Sequence, residues 1–395
     1  MAYQTNRNLF VASKLEATFG TLPGASGADI FRANSGAVSL SKEPIRSGEN
    51  RRDGMTTRGR HGSRSVAGSY VGDLSVGTFD KWIEAVLRGT FDTPLALTAL
   101  SVAADSAAKT FTRSAGSWIT DGVRIGDVVR FGAFTAGGAP NNSRNFTVVA
   151  LTATVLTVAE TPATIAQQTA ITLARSKKVI QGTTRRSFTI EEHELDIDGS
   201  EVFTGCRIGS MQLQMQPNGM ATLTFGIVGQ DMQVMTGAQA PYFTAPVATV
   251  TLGLTAVEAL IRLGSTPVLD ITGIDLTVNL NAAGQPVVGS NITPDVFDNL
   301  ATIEGSITAL RQDVSRVQNF LNEDQLSLSL VFAENTAQPA PFCAFSLCNF
   351  TFSSATKSEL GSDGPRTQTL NLLVGKDERG GAYDPTMISF QSSAA

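Results

Sequence analysis

The chain has 395 residues, of which 42% are hydrophobic and 16% are charged, and its mean hydropathy is +0.05. This composition is typical of a globular protein with two or three cores, and it excludes a largely disordered chain. The net charge of −5 argues against general affinity for nucleic acid, because a binder must present many cations to displace the phosphate counterions.

Residues 41–64 form a predicted long loop with hardly any apolar residues. Its seven cations outnumber Glu43, Glu49 and Asp53, which leaves a local excess of +4. The cations are Lys42, Arg46, Arg51, Arg52, Arg58, Arg60 and Arg64. A loop of this length without a core of its own is either disordered or ordered by a partner. In an acidic chain, we expect that partner to be acidic as well.

A strand and a helix are predicted after this loop. Residues 65–76 alternate small, polar and apolar side chains, as a strand does. Thr78 is a candidate helix cap and Gly89 a candidate helix stop. The apolar residues at helical spacing between them are Phe79, Trp82, Ile83, Val86 and Leu87.

Residues 97–175 differ in character from the chain on either side. They are rich in Ala, Thr and Val, and glycine or asparagine turns separate four short predicted strands. These strands are predicted at residues 109–113, 128–131, 145–151 and 155–158. Short, regularly spaced strands of this kind predict a separate small β-barrel or sandwich that interrupts the first unit.

The clearest predicted hairpin covers residues 210–228, with a turn at 217–219. Apolar and polar residues alternate along both arms, so one face should be buried and the other polar. The apolar positions are Met211, Leu213, Met215, Ala221, Leu223, Phe225 and Ile227. The polar positions are Gln212, Gln214, Gln216, Thr222 and Thr224. We expect the apolar face to pack on the predicted helix.

Comparison of the chain with itself predicts an internal duplication, because five features recur in the same order and with similar spacing. The matched ranges are 36–40 with 273–276, 66–69 with 303–306, 79–87 with 310–321, 203–206 with 342–345, and 229–231 with 375–377. One hairpin arm is out of step, since Leu370 and Leu372 do not share the alternation of Leu223 and Phe225. A bulge or a slipped alignment would explain this difference.

Few residues could carry catalysis or bind a metal. The two histidines are His61 and His193, which removes most triads and zinc sites, and we expect both to be solvated. Glu191, Glu192 and Glu194 flank His193, but the pattern fits the end of a strand better than a metal site. No phosphate-binding lysine motif is present. We therefore predict no enzyme, no cofactor and no catalytic residue.

The cysteines, the apolar runs and the first ten residues indicate the compartment in which the protein is made. Cys206, Cys343 and Cys348 are odd in number and have apolar neighbours, so we expect small buried hydrophobic residues. No run approaches the roughly 20 apolar residues that cross a bilayer, and residues 1–10 lack the order of a secretory signal. A soluble protein made in the cytoplasm is expected.

Several segments together resemble the major tail tube proteins of long, non-contractile-tailed bacteriophages. They are residues 47–53, 60–69, 72–80, 203–207, 217–219 and 229–231. Outside the inserted module the resemblance covers most of residues 5–235, and more faintly the rest. It implies a mainly β fold with a few helices, in which β-sandwich or barrel units, each flanked by a helix, join across subunits into a tube.

The resemblance also implies an architecture and partners. We expect a first, discontinuous tail-tube fold at 1–96 and 176–235, an inserted β domain at 97–175 that projects outward, and a degenerate second fold at 236–395. Family members form stacked rings of six folds around a tape-measure protein and later let DNA pass. Two folds per chain would make each ring a homotrimer with approximate sixfold symmetry, with a homohexamer as the alternative.

Further expectations follow from this assignment. Tail terminator and distal tail proteins would be partners, the virion tail would be the location, and assembly would occur in the host cytoplasm without a membrane. The alternative function is an adhesin or carbohydrate-binding β-protein, which would need a clustered aromatic platform.

For ring stacking, the hypothesis is that the Arg-rich loop crosses to the neighbouring ring. The alternative is that the loop is a solvated run of charges. If the loop crosses, its opposite surface would be the acidic loop 281–298, with Asp295 and Asp298. Opposed loops of this kind suit head-to-tail contacts, which polymerise instead of closing. The tube itself would be formed by the hairpin at 210–228.

Overall fold

The structure is a computed structural model that describes residues 3–361 and 364–394. It is mainly β, as predicted. The elements before residue 90 are β1 (Leu9–Leu15), β2 (Asp29–Phe31), β3 (Ser35–Ile45), β4 (Arg60–Asp73) and α1 (Asp80–Val86). Those from 95 to 175 are β5 (Leu95–Asp105), β6 (Thr110–Arg113), β7 (Val128–Gly132), a 3-10 helix (Ala136–Asn141), β8 (Phe146–Leu151), β9 (Val155–Val158) and β10 (Ile165–Arg175).

The remaining elements complete two further groups. Up to residue 240 they are β11 (Lys178–Ile180), β12 (Phe188–Glu194), β13 (Gly199–Met215), β14 (Thr222–Gly229), β15 (Asp231–Thr236) and a 3-10 helix (Gly237–Gln239). The elements after residue 240 are β16 (Ala259–Leu263), β17 (Thr266–Pro267), β18 (Ile271–Asn279), β19 (Ala283–Gly284), β20 (Val296–Phe297), β21 (Thr302–Leu310), α2 (Ser315–Asn322), β22 (Leu326–Ala333), β23 (Phe342–Lys357), β24 (Thr367–Val374) and β25 (Ile388–Ser392).

The dominant feature is one antiparallel sheet of eight strands. Its order is β3–β4–β14–β13–β18–β21–β24–β23. The first four strands come from the first half of the chain and the last four from the second half. Strands β13 and β23 are long enough to leave this sheet and enter a second layer, so each half is a two-layer sandwich.

The second layers are built alike in the two halves. In the first half β1, β12 and β15 join β13, and in the second half β16, β22 and β25 join β23. Helix α1 follows β4 and packs on β13, and α2 follows β21 and packs on β23. Eight elements of each half therefore occur in the same chain order and in the same places.

The core of the first half lies between the apolar face of the β13–β14 hairpin and helix α1. The predicted apolar positions of the hairpin are all buried. The ring of Phe225 lies 5.7 Å from that of Phe79 and 5.4 Å from that of Trp82. The predicted packing of this hairpin face on a helix is therefore confirmed.

Strands β5–β10 close into a small six-stranded barrel with its own core. Although the barrel interrupts the first half, it docks on the second. Val128 of β7 packs with Val331, Phe342 and Ala344, and its backbone exchanges two hydrogen bonds with the Gln391 side chain, at 2.8 and 2.7 Å. The barrel covers the outer face of the β22–β23–β25 layer.

A buried ion cluster fastens the same junction. The Lys178 ammonium lies 2.6 Å from the Asp127 carboxylate and 2.8 Å from that of Asp384. Arg175 lies 3.5 Å from the second Asp127 oxygen. Three segments distant in sequence therefore meet at this point.

The structure corrects the prediction for residues 41–64. Strand β3 continues to Ile45 and β4 begins at Arg60, with Lys42 opposite Arg64 and Ile45 opposite Arg60. Only residues 46–59 form a loop. The strand ends were missed because this projecting ribbon is exposed on both faces and has no apolar alternation.

The predicted helices also needed adjustment. Helix α1 begins at Asp80 without a side-chain cap, because the Thr78 hydroxyl bonds to those of Ser75 and Thr249. Leu310, which the helical pattern of the second half included, lies in β21.

His61 is exposed as expected, but the expectation of a solvated His193 was wrong. His193 is buried in β12, and its Nδ1 lies 2.9 Å from the Ser200 hydroxyl. The neighbouring Glu191 carboxylate is satisfied by the backbone amides of Tyr242 and Phe243.

Candidate assembly surface

The two halves of the sheet meet at a seam between β13 and β18. Six consecutive residue pairs cross it, from Ser210–Asn279 to Met215–Ile274. On the core side Leu213 lies opposite Leu276, and both are buried. Backbone pairing and apolar burial together make the seam a continuous part of the sheet.

On the opposite face the seam is held by polar side chains. The amide groups of Gln212 and Gln214 both donate to Oδ2 of Asp275, at 2.7 and 2.9 Å. Hydrogen bonds to a carboxylate are stronger than those between neutral groups. The sequence prediction included the two glutamines and missed Asp275. Its signal was an acidic residue at a polar position of an alternating strand, Ile274–Val278.

Three rows of cross-strand neighbours show what the polar face presents. The first row is Ser35, Val71, Thr224, Gln212, Thr277, Glu304, Leu373 and Thr351. The second is Asp73, Thr222, Gln214, Asp275, Ser306, Asn371 and Ser354. The third is Ala37, Ser69, Gly226, Ser210, Asn279 and Thr302. These rows contain three carboxylates and neither lysine nor arginine.

The predicted hairpin residues are distributed as follows. Gln212, Gln214, Thr222 and Thr224 lie on the polar face of β13 and β14. Gln216 lies beyond the end of β13, in the turn, where its carbonyl accepts a hydrogen bond from Gly219. Four of the five side chains therefore share one surface.

The sheet ends in two unpaired edges among the residues described. Strand β3 pairs only with β4, and the last seven residues of β23, 351–357, pair only with β24. Strand β3 is mostly exposed, and residues 351–357 range from buried at Phe352 to exposed at Thr356 and Lys357. An edge of this kind presents free N–H and C=O groups to another strand.

One amide of the β3 edge is occupied by a side chain. The Val38 N–H donates to Oε1 of Glu192 at 3.0 Å, and the Tyr70 hydroxyl donates to the same oxygen. Burial is the main cause that raises the pKa of Glu192 above its usual value, and the negative charges of Glu201 and Glu194 add to it. In the described part of the chain, no lysine or arginine lies within 4.0 Å of the Glu192 carboxylate.

The seven predicted stacking cations are spread over the β3–β4 ribbon. Lys42 lies in β3, Arg60 and Arg64 lie in β4, and the rest lie in the exposed loop 46–59. Those in the loop are Arg46, Arg51, Arg52 and Arg58. Arg51 pairs with Asp53 at 2.9 Å, and Arg64 pairs with Asp231 at 2.8 Å.

The predicted acidic counterparts are engaged within the chain. Asp295 lies 3.0 Å from Arg185 and 2.7 Å from Arg207, and Asp298 lies 3.3 Å and 3.9 Å from the same two arginines. In addition, the β18–β21 connection that carries them leaves the sheet at the same end as the β3–β4 loop. In a head-to-tail stack, Asp295 and Asp298 would therefore not face that loop.

Other site types find little support. No group of three potential metal-ligating residues occurs in residues 3–361 or 364–394. Cys206, Cys343 and Cys348 are buried and unpaired, as predicted, and burial raises their pKa values. In the same ranges, no helix is long and apolar enough to cross a membrane.

Comparison with known proteins identifies a family for this chain. No curated protein matches the chain in sequence. A family model described as phage tail tube protein matches residues 6–372, which is nearly the whole chain. The chain therefore belongs to the phage tail tube protein family.

Proposed function

We propose that this chain polymerises into stacked rings that form the tail tube of a virion and later serve as a conduit for DNA. The observation that carries this proposal is the β13–β18 seam. There, two four-stranded units already join edge to edge inside one chain, and equivalent edges are left free at β3 and β23. Edge pairing between copies would remove those edges by closing a barrel.

An internal duplication underlies this arrangement. The two units have the same ladder pattern around Gly68 and Gly305, and each has a one-residue bulge at the same place in its long strand, at Gly209 and at Ser353. The matched positions are Val38 with Leu276, Gly68 with Gly305, Ile227 with Leu372, and Ile208 with Phe352. In this register the buried and polar positions alternate in the same way along β14 and β24. The hairpin arm that was out of step in the sequence comparison had therefore been aligned one residue away from its true counterpart.

The seam has the stagger that a closed barrel needs. Equivalent positions of the two units are displaced along the strand direction by four to five residues, or roughly 15 Å. The same step crosses four strands, or roughly 19 Å of sheet. This stagger corresponds to strands tilted by about 38°, and barrels typically tilt by 35–45°. Repeating the same seam between copies would therefore close the sheet.

Three chains give a suitable tube. At this tilt, three eight-stranded sheets would make a cylinder about 45 Å across between opposite backbones. Side chains about 5 Å long would still leave room for a DNA duplex. The ring would have true threefold and approximate sixfold symmetry, and a hexamer of whole chains would be twice as wide.

The polar face would line the channel, because the apolar face is buried in the core. Asp73, Asp275 and Glu304 give it negative charge. A polyanion that carries about one charge per 1.7 Å would be repelled, so DNA could slide without being held. During assembly the same channel would enclose the tape-measure protein.

For stacking, we retain the Arg-rich loop and assign new counterparts. Loop 46–59 leaves one end of the sheet, and the turn at 217–219 lies at the other. Glu258 and Asp313 lie near that second end, since Ala256 bonds to Gly219 and Asp313 follows β21. Opposite charge at opposite ends suits head-to-tail contacts.

The inserted barrel would project outward. It sits on the outer layer of the second half, on the side away from the polar face. The adhesin alternative has no comparable support, since Trp82 and Trp118 are both buried and offer no aromatic platform. We infer a structural protein rather than an enzyme, assembled in the host cytoplasm and joined at the tube ends by tail terminator and distal tail proteins.

Negative-stain microscopy of the concentrated, purified chain tests the proposal. We expect rings or tubes with a central channel. Monodisperse particles at every concentration, together with a virion tail made of another protein, would overturn it.

A further inference from the structure

We propose that β23 of one copy pairs with β3 of the next in the register of the internal seam, with Lys357 opposite Val38 and its ammonium group beside Glu192. This inference rests on the proposed function, because it needs copies that join edge to edge. It adds the residue pairs of the contact and the ion pair that accompanies it.

The register follows from the match between the two units. In the seam, Leu213 lies opposite Leu276. Leu213 is five positions after Ile208, whose counterpart is Phe352, so the counterpart of Leu213 is Lys357. The counterpart of Leu276 is Val38. The transferred pairs are Ser354 with Ser41, Ala355 with Leu40, Thr356 with Ser39, and Lys357 with Val38.

The direction of the Val38 amide agrees with this register. In the seam the Leu280 N–H donates to the Gly209 carbonyl at 2.8 Å, and hydrogen-bonded pairs recur at every second residue of an antiparallel ladder. Leu213–Leu276 is therefore a hydrogen-bonded pair, and the Leu276 N–H points across the seam. By the same geometry the Val38 N–H should point out of the free edge, as its bond to Glu192 indicates.

Glu192 and Lys357 complement each other. Glu192 is partly buried, close enough to Glu194 and Glu201 to feel their charges, and within the described residues it has no cation partner. Lys357 is exposed at the end of β23, on the face that corresponds to the core side of Leu213. On pairing, the Lys357 carbonyl would accept the Val38 N–H. The Lys357 ammonium would then lie over the released Glu192 carboxylate. It would supply the opposite charge that a carboxylate needs when it is shielded from water.

A cysteine cross-link tests the register. Ser39→Cys with Thr356→Cys places the thiols on the polar face, at a pair of the non-hydrogen-bonded kind. Such pairs have Cα atoms about 4.5 Å apart, within disulfide range. The control is Ser35→Cys with Thr356→Cys, whose Cα atoms would be more than about 10 Å apart. The three native cysteines are buried.

Each double-cysteine variant is assembled into rings and then oxidised. On a denaturing gel we expect covalent dimers and trimers for Ser39→Cys with Thr356→Cys, and monomers for the control variant. Equal cross-linking of both pairs, or cross-linking of the control alone, would overturn the register. If microscopy still shows rings in that case, the proposed function stands and only the register fails. If no variant and no wild-type chain forms rings, the proposed function itself fails.

A charge reversal tests the ion pair. Lys357→Glu changes a residue that is exposed in the free chain, so folding should be retained, and we expect the concentration needed for ring formation to rise several-fold. The matched control is Arg7→Glu, which reverses an exposed cation that precedes β1 and belongs to neither β3 nor β23. Unchanged assembly of Lys357→Glu, or an equal effect of the control, would contradict the ion pair.

Discussion

Gln212 and Asp275 lie on strands from different halves of the chain, and the amide of the first donates to the carboxylate of the second at 2.7 Å. This contact, with that of Gln214, fixes the polar side of the seam. We expect Asp275→Ala to lower the free energy of unfolding by about 1–3 kcal/mol, because two charge-assisted hydrogen bonds are lost. Urea denaturation measures this change. The control is Ser306→Ala, on the neighbouring strand, and an equal loss in both variants would refute the role of Asp275.

Gly68 tests the close approach of β3 and β4. A Cβ atom at this position would lie 2.1 Å from the Ala37 carbonyl oxygen, which is backbone and cannot move aside cheaply. We expect Gly68→Ala to detach β3 locally, which hydrogen exchange of the β3 amides would detect. Gly48→Ala is the control, because its Cβ would meet nothing within 4 Å. Unaltered exchange in Gly68→Ala would contradict this prediction, because the two strands would then accommodate the methyl group without detaching.

Lys178 tests the docking of the barrel. We expect Lys178→Met to cost about 3–5 kcal/mol at pH 7, because Asp127 and Asp384 lose their shared buried cation. Lys81→Met removes an exposed partner of Asp29 and should cost less than about 1 kcal/mol. Guanidinium denaturation compares the two variants. Similar small losses would indicate that apolar contacts alone hold the barrel.

The same cluster predicts a pH dependence. Burial raises the pKa of Asp384, and the attraction of Lys178 only partly offsets this effect. Ionisation of Asp384 therefore lowers the free energy of unfolding as the pH rises above 3.8, the usual pKa of an aspartate. Without Lys178 this cost is larger. The deficit of Lys178→Met should therefore be smaller at pH 5 than at pH 7 in paired denaturation curves, and a deficit independent of pH would contradict the assignment.

At the alkaline end stability also falls as the pH rises, but the cause is the loss of a stabilising cation. For Lys178, burial lowers the pKa, but the charges of Asp127 and Asp384 outweigh it, and the net shift is upward. Its contribution to stability is complete below the usual value of 10.5 and is lost as the pH rises through the raised value. Thermal unfolding of the wild type above that pH should show the loss, and Lys178→Met should lack it.

Ring stacking is tested by reversing Arg51 and Arg52 to Glu in the exposed loop. We expect rings to form but long tubes to be absent, because like charges would then meet at the ring interface. Microscopy and sedimentation distinguish rings from tubes. Reversal of Arg7 serves as the control, and tubes of normal length from the Arg51 and Arg52 variant would contradict the role of the loop.

Local patterns in the sequence were sufficient for much of the fold. The hairpin around Leu213 and Phe225 was predicted because period-two alternation is a local signal, and the short strands of the barrel were found from their turns. The ends of β3 and β4 were missed because Ile45 and Arg60 lie in an exposed ribbon without alternation. The start of α1 was missed because the Thr78 hydroxyl bonds to neighbouring hydroxyl groups rather than capping the helix.

Long-range pairings could not be predicted from the sequence. Nothing near Asp275 indicates that β18 will pair with β13, since that contact joins residues more than 60 positions apart. For the same reason Asp295 and Asp298 were predicted to oppose the Arg-rich loop of a neighbouring ring, although Arg185 and Arg207 bind them within the chain. Charge patterns indicate that a partner is needed, whereas the topology determines which one is in reach.

The covalent join between the two units changes how a ring can start to grow. Each bimolecular encounter costs translational and rotational freedom, about 4–15 kcal/mol at standard concentration. Every second joint around the proposed ring is already made when the chain folds, through pairs such as Leu213 and Leu276. Nucleation then requires fewer collisions than it would with separate units, and it should depend on a lower power of the protein concentration.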